Sequence, residues 1–235
     1  MWCGRQTPSS VRKKKKTSTQ FLAPSRLVQA TIPYTTAMIV VQSSPTGFTE
    51  EVIAAEKRRV TEFFAARKEE CRWESVLYQA DPKSSVGFHD ENPCEVLLGG
   101  QFLEETLLGK KFRISPTSFF QTNTKAAEVL YTKIGDCCTE GNNETVLLDL
   151  CCGTGTIGLT LASRMKKVIG VEMVHTAIED AKINAALNGI TNVEFFANKV
   201  EDVIESIIRS AGDAPIVAVV DPPRSGLREC LPFNF

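Results

Sequence analysis

Three carboxylates and one glycine-rich turn are the groups in this sequence best placed to hold a ligand and act on it. Asp149 lies near the end of the apolar run Val146-Leu-Leu-Asp-Leu150, which leads directly into Cys151-Cys-Gly-Thr-Gly-Thr-Ile-Gly158. Glu172 follows a second apolar run, residues 167–171, and Asp221 follows a third, Ile216-Val-Ala-Val-Val220. Gly153, Gly155 and Gly158 satisfy the G-x-G-x-x-G spacing between a strand and a helix. There, backbone N–H groups can approach a bound ligand, and an acid about 20 residues further on can accept from ribose hydroxyls.

That arrangement suits two ligand classes. In a dinucleotide site the helix N-terminus holds the pyrophosphate and Glu172 the ribose. In an S-adenosylmethionine site the glycines admit the methionine part, and Glu172 again chelates the ribose diol. Two features favour the second. Asp149 stands before the loop, where a carboxylate can accept from the cofactor's ammonium group, and a nicotinamide site needs no such acceptor. After the last apolar run, Asp221-Pro222-Pro223-Arg224 removes two consecutive N–H donors and stiffens the chain beside a reactive end.

The elements that must position these groups are legible in the second half. Continuous apolar runs at 146–150, 167–171, 192–197 and 216–220 read as strands, separated by helices near 156–165, 175–188 and 200–211. Fully apolar strands alternating with helices predict a parallel sheet covered on both faces. Lys125 to about Cys138 reads as a preceding helix capped by Thr124. Earlier, Ala37–Val41 and Val76–Tyr78 read as strands around a helix from Thr49 to about Arg67, with Ile53, Val60, Phe63 and Phe64 on one face. Cys94 to Leu98 turns through Gly99-Gly100 into Gln101 to Leu108, a hairpin pattern. Phe112 to Asn123 reads as a linker, Asn123 as a turn or cap residue, and Phe119 and Phe120 as core packing.

The chain's 235 residues, 43% of them hydrophobic, are enough to bury a sizeable core. Its net charge of −1 hides an asymmetry: residues 1–49 carry seven basic groups and no acid, leaving 20 basic against 28 acidic residues in the remainder. A basic, Pro/Ser/Thr-rich arm (1–36) is expected to be disordered, either a solvated tail or a phosphate-attracting one. No secretory signal core or membrane-length apolar window is present. Lys13-Lys14-Lys15-Lys16 resembles a nuclear signal, while Pro8, Pro24 and Pro33 interrupt the amphipathic helix of a mitochondrial presequence. An intracellular site, nuclear or cytoplasmic, is therefore favoured over a mitochondrial one. The eight cysteines include two adjacent pairs and no Cys-x-x-Cys, so no metal site is expected. His89 and His175 read as ordinary histidines.

Phe112-Arg-Ile-Ser-Pro-Thr-Ser-Phe-Phe-Gln-Thr-Asn123, Leu148 to Gly158, Val168-Ile-Gly-Val-Glu172 and Asp221 to Leu227, in that order, resemble the motifs of the tRNA/rRNA (uracil-5-)-methyltransferase family. Within that family the eukaryotic tRNA enzymes are the nearest likeness, and it runs from about Ala37 to Leu227. The resemblance implies an α/β chain: a small α+β region (37–111), then an incomplete class I methyltransferase, Rossmann-like, parallel sheet (112–235). It implies S-adenosyl-L-methionine as cofactor and tRNA as partner. Gln121 would touch the methionine end, Glu172 the ribose, and Asp221 would lie between cofactor and target base. Asp149, Gly153 and Gly155 complete the expected cofactor set, within a loop, Cys151 through Thr156, that lines the cofactor.

The implied reaction is methylation of carbon 5 of a uridine, most naturally in the T loop. That carbon is a poor nucleophile, so the family adds a cysteine thiolate to carbon 6, and a glutamate later removes the carbon-5 proton. Neither of those family segments occurs in these 235 residues, and Cys230 lacks the motif. No catalytic residue is therefore assigned, and a non-catalytic tRNA- or cofactor-binding remnant stands as the alternative. The strand at 216–220 is expected beside the one at 146–150, as an apolar edge.

Overall fold

The computed structural model describes residues 26–31, 36–67, 72–81, 92–138, 143–222 and 226. The first sheet is built from β1 (Arg26–Thr31), β2 (Thr36–Ser43), β3 (Arg72–Ala80) and β4 (Cys94–Gly99), in the order β1-β2-β3-β4. Helix α1 (Glu50–Ala65) carries the chain from β2 to β3, which therefore pair in parallel, while both outer strands run antiparallel. Thr49 is the extended residue before α1, and Glu50 and Glu51 place negative charge in its first turn. Strand alternation splits the sheet's side chains between two layers. Ile39, Val41, Val76 and Tyr78 pack on Val60 and Phe64 of α1, whereas Met38, Val40 and Leu77 face the core shared with the second half.

Two expectations change here. Arg26–Thr31 lies inside the arm read as disordered, yet it pairs with β2 through an irregular register. The hairpin expected between Cys94–Leu98 and Gln101–Leu108 is absent, because β4 pairs with β3 instead. Gly99 leaves β4 at φ +75, with a Cβ position only 2.0 Å from the Glu74 carbonyl oxygen, so the backbones meet too closely for any other residue. The true hairpin joins β5 (Leu103–Leu107) to β6 (Lys110–Ile114). Its turn residues, Leu108 and Gly109, both have positive φ, 49° and 74°. That conformation ordinarily selects Asn-Gly or Gly-Gly, so a leucine there hides the turn. Leu103, Leu107, Phe112 and Ile114 point from this ribbon into the shared core.

The second half opens with α2 (Thr124–Cys138). Its cap is Asn123, whose Oδ1 accepts from the Ala126 N–H at 3.0 Å; Thr124, the expected cap, instead reaches Glu105 Oε2 at 3.3 Å. Then come β7 (Val146–Leu150), α3 (Thr156–Leu161) with a 3-10 extension at 162–164, and β8 (Lys167–Glu172). They are followed by α4 (His175–Leu187), β9 (Val193–Ala197), α5 (Val200–Ala211) and β10 (Ile216–Val220). The four strands are all parallel in the order β10-β7-β8-β9, so β10 lies beside β7 as expected.

Both faces are covered. Leu147 and Val168 join Leu159, Leu161 and Tyr131 on one side, while Val146, Leu148, Leu150, Ile169 and Val171 meet Val200, Ile204 and Ile207 of α5 on the other. Each fully buried aliphatic side chain contributes about 1.5–3 kcal/mol. Asp149 shares the Leu147 side and so points toward α3.

Helix α4 also pairs with β6, through side chains. Asn188 Oδ1 accepts from the Lys111 N–H (2.9 Å) and its Nδ2 donates to the Lys111 carbonyl (2.6 Å). Asn184 treats Arg113 likewise, at 2.8 and 3.4 Å. Residues two apart on a strand and four apart on a helix repeat at similar spacings of about 6–7 Å, so two amides in successive turns match alternate strand residues.

Candidate functional site

The parallel strands end along one line, and a cavity of about 790 Å³ opens there, walled by the segments that follow β7, β8, β9 and β10 and by the 119–121 stretch. Open parallel sheets bind their ligands at the carboxyl ends of their strands.

The first wall is the turn after β7. Cys151 sits at φ 64 and Gly153 at φ 54, and a Cβ on Gly153 would meet open space. The Gly153 N–H donates to Glu172 Oε2 at 3.2 Å, and the Val174 N–H donates to Oε1 at 3.0 Å. Glu172 is thereby fixed at the tip of β8 with its remaining lone pairs toward the cavity. Gly155 does not line the cavity. Its missing side chain makes room for the Phe195 ring and Ala181, 3.1 to 3.3 Å from where a Cβ would lie. Phe195 likewise covers Gly170, so one aromatic ring supports the turn from beneath.

Asp149 lies below the turn, 1% exposed. Its Oδ2 accepts from the Gly158 N–H at 2.8 Å, while Oδ1 is buried with no hydrogen-bond partner. Burial pushes its carboxyl up to about 7; the Gly158 bond opposes that shift, and the nearby Asp221 and Glu172 charges add to it. Asp149 therefore acts from behind the wall rather than on its surface.

Gln121 and Asp221 both line the cavity, and the Asp221 N–H continues the β10–β7 ladder to the Leu150 carbonyl at 3.3 Å. Phe120 is core, packed against Phe112 with ring centroids 6.2 Å apart, but Phe119 is 74% exposed at the cavity mouth. That exposure corrects the core reading of Phe119. Met173, also exposed, adds a second apolar side chain to the cavity lining.

Tyr131 of α2 is a site residue that sequence reasoning missed. Its hydroxyl contacts Thr156 Oγ1 at 3.4 Å and the Gln121 side chain. The signal was a polar-tipped aromatic on the otherwise small, buried face Ala127, Gly135 and Cys138. Asn198 and Lys199 after β9 were missed as well.

The electrostatics are one-sided. Glu172, Glu201 and Asp221 line the cavity with Asp149 behind them, and Lys199 is the single cationic side chain among the described lining residues. Such a site favours a cationic ligand and disfavours a pyrophosphate. The thiols at the site stay protonated: burial and the neighbouring carboxylates push Cys151 up to about 11 and Cys152 well above the ordinary value. Among the described residues no group of His, Cys, Asp and Glu could hold a metal ion, and no helix is long and apolar enough to cross a membrane. Asp221 and Pro222 are described, but Pro223, Arg224, His89 and Cys230 lie outside the described residues.

Residues 142–213 match the family model "Methyltransferase domain". The mouse tRNA (uracil-5-)-methyltransferase homolog B is 41% identical over 192 residues, covering 81% of this chain and 38% of that protein. The human homolog A is 40% identical, covering 81% of this chain and 31% of its own length. In fold, the chain resembles the Pyrococcus abyssi tRNA (uracil-54, C5)-methyltransferase crystallised with S-adenosyl-L-homocysteine: TM-score 0.57, 24% identity, 82% of this chain and 42% of that one. The chain spans about two fifths of the length of the homolog B proteins it matches. By sequence the chain is similar to the tRNA (uracil-5-)-methyltransferase homologs over about four fifths of its own length, and residues 142–213 carry a methyltransferase-domain core.

Proposed function

We propose that this chain binds S-adenosyl-L-methionine in the crevice, as part of an enzyme that methylates carbon 5 of a uridine in tRNA. The observation that carries the reading is Glu172, fixed by two backbone N–H groups at the tip of β8 within an anionic cavity. A fixed carboxylate there suits a ribose diol. The surrounding negative charge suits a sulfonium and an ammonium, whereas the pyrophosphate of a dinucleotide would meet the same charges as repulsion.

The residues present fit the cofactor. Gly153 admits a close backbone approach and Glu172 holds the ribose. Gln121, steadied by Tyr131, faces the methionine end, and Asp221 lines the same cavity. Asp149, which keeps its proton up to about pH 7, supports the turn from beneath through the Gly158 N–H. Gly155 serves the fold of the turn rather than contact. When bound, the cofactor supplies an electrophilic methyl group. This chain's residues orient it and hold the site's charge, and Phe119 and Met173 offer apolar surface to an incoming base. Cys151 and Cys152 are not thiolate donors at neutral pH.

Calorimetric titration with S-adenosyl-L-homocysteine and with NAD, beside methyl transfer to a tRNA transcript from labelled cofactor, tests the reading. Homocysteine-adduct binding with transfer to carbon 5 of uridine supports it. Binding without transfer favours the non-catalytic alternative, and NAD binding alone refutes the cofactor.

A further inference from the structure

We infer that Asp180 and Asn184 on α4 form a buried clasp that sets the spacing of the two cavity walls, making Asp180 a positioning residue for Gln121. This rests on the cofactor reading above but names residues that reading does not use. Asp180 is 4% exposed and gathers three donors from the segment leading to Gln121: Arg113 Nη2 at 2.5 Å, Ser115 Oγ at 2.5 Å and Ser118 Oγ at 2.8 Å. One turn later Asn184, fully buried, takes the Arg113 backbone with its amide and also donates to the Thr154 carbonyl at 3.4 Å.

One helix face thus binds both the 113–118 segment, which delivers Phe120 and Gln121, and the glycine turn, which delivers Gly153. The two walls do not hold each other through strand pairing. Besides Tyr131, which touches both Gln121 and Thr156, what joins them is a carboxylate with hydroxyl and guanidinium donors, and an amide. Such charge-assisted, buried bonds are directional and strong relative to neutral ones. Removing the carboxylate leaves three donors without their acceptor and frees the segment ahead of Gln121.

The test compares Asp180→Ala and Asp180→Asn with Val60→Ala, a core truncation in the first sheet that serves as a stability control. Homocysteine-adduct affinity is measured alone and in combination with Gln121→Ala, and amide hydrogen exchange is followed across 115–121 and 153–155. The clasp predicts at least a tenfold loss of affinity for Asp180→Ala, a smaller loss for Asp180→Asn, and none for Val60→Ala at equal loss of thermal stability. It predicts that Asp180→Ala and Gln121→Ala together cost clearly less than the product of the separate losses. It also predicts faster exchange in both walls. Affinity within twofold of wild type in Asp180→Ala, or strictly multiplicative losses, overturns it. If wild-type chain fails to bind the adduct, the cofactor reading fails and exchange decides the clasp: unchanged protection of both walls in Asp180→Ala overturns it, and joint loss upholds it.

Discussion

Asp149→Asn isolates a buried charge whose effect on stability can be worked from the structure. In the native chain the carboxyl keeps its proton up to about pH 7, whereas an ordinary aspartate releases it near 3.8. Between those values the native state binds more protons than the unfolded state, so stability falls as pH rises; below 3.8 and above 7 the dependence vanishes. At about 1.4 kcal/mol per unit, the whole span is worth roughly 4 kcal/mol and the part between pH 5 and 8 roughly 3 kcal/mol. Asparagine keeps the shape and the Gly158 acceptor but brings an amide N–H₂ into a site with no partner for it, which costs about 1–3 kcal/mol at every pH. Wild type has already lost about 1.6 kcal/mol by pH 5 and about 4 kcal/mol by pH 8 relative to its protonated form, so the variant should be comparable to wild type at pH 5 and more stable at pH 8. Urea unfolding at half-unit steps measures the difference between the two proteins. That difference should swing by about 3 kcal/mol, and a swing under 1 kcal/mol would falsify the claim that Asp149 is a desolvated, titrating group.

Other substitutions probe the remaining parts. Glu172→Ala should weaken homocysteine-adduct binding ten- to a hundredfold, since charge-assisted hydrogen bonds to the diol contribute about 1.5–3 kcal/mol; calorimetry with unchanged affinity would remove Glu172 from the site. Gly170→Ala should lose about 1–3 kcal/mol in urea unfolding, because its Cβ would fall 2.5 Å from Phe195 Cδ1 and 2.9 Å from Cys152 Sγ, and Phe195→Leu in the same chain should recover part of that loss. Phe119→Ala should leave stability within about 0.5 kcal/mol, as expected for an exposed side chain; a drop of several degrees in melting temperature would show that the ring is packed.

The second half was legible because its strands are unbroken apolar runs and its helices fall between them at regular lengths. Period alone therefore located β7, β8, β9 and β10 to within a residue or so. The first half was less so. The β5–β6 turn rests on a leucine in a glycine-type conformation, and β4 departs through a glycine whose need is set by Glu74, a residue 25 positions earlier. In the site, Glu172, Gln121 and Asp221 were readable from strand ends and motif order, and the structure brings them around one cavity. Gly155 and Asp149 could not be placed by pattern, since whether a glycine faces ligand or ring depends on Phe195 across the sheet. Asp180 and Asn184 were invisible for a different reason: polar residues on a helix look like a solvated face until the strand they grip is seen.

The amide pairing of Asn184 and Asn188 with Lys111 and Arg113 has a consequence for assembly. A two-stranded ribbon ordinarily leaves a row of main-chain donors and acceptors open to any passing chain. Here two side chains, with no backbone of their own to extend the ladder, occupy those positions and terminate it. The helix works as a stopper: the ribbon's growth ends at β6, and a stray strand finds its docking sites on that side already taken.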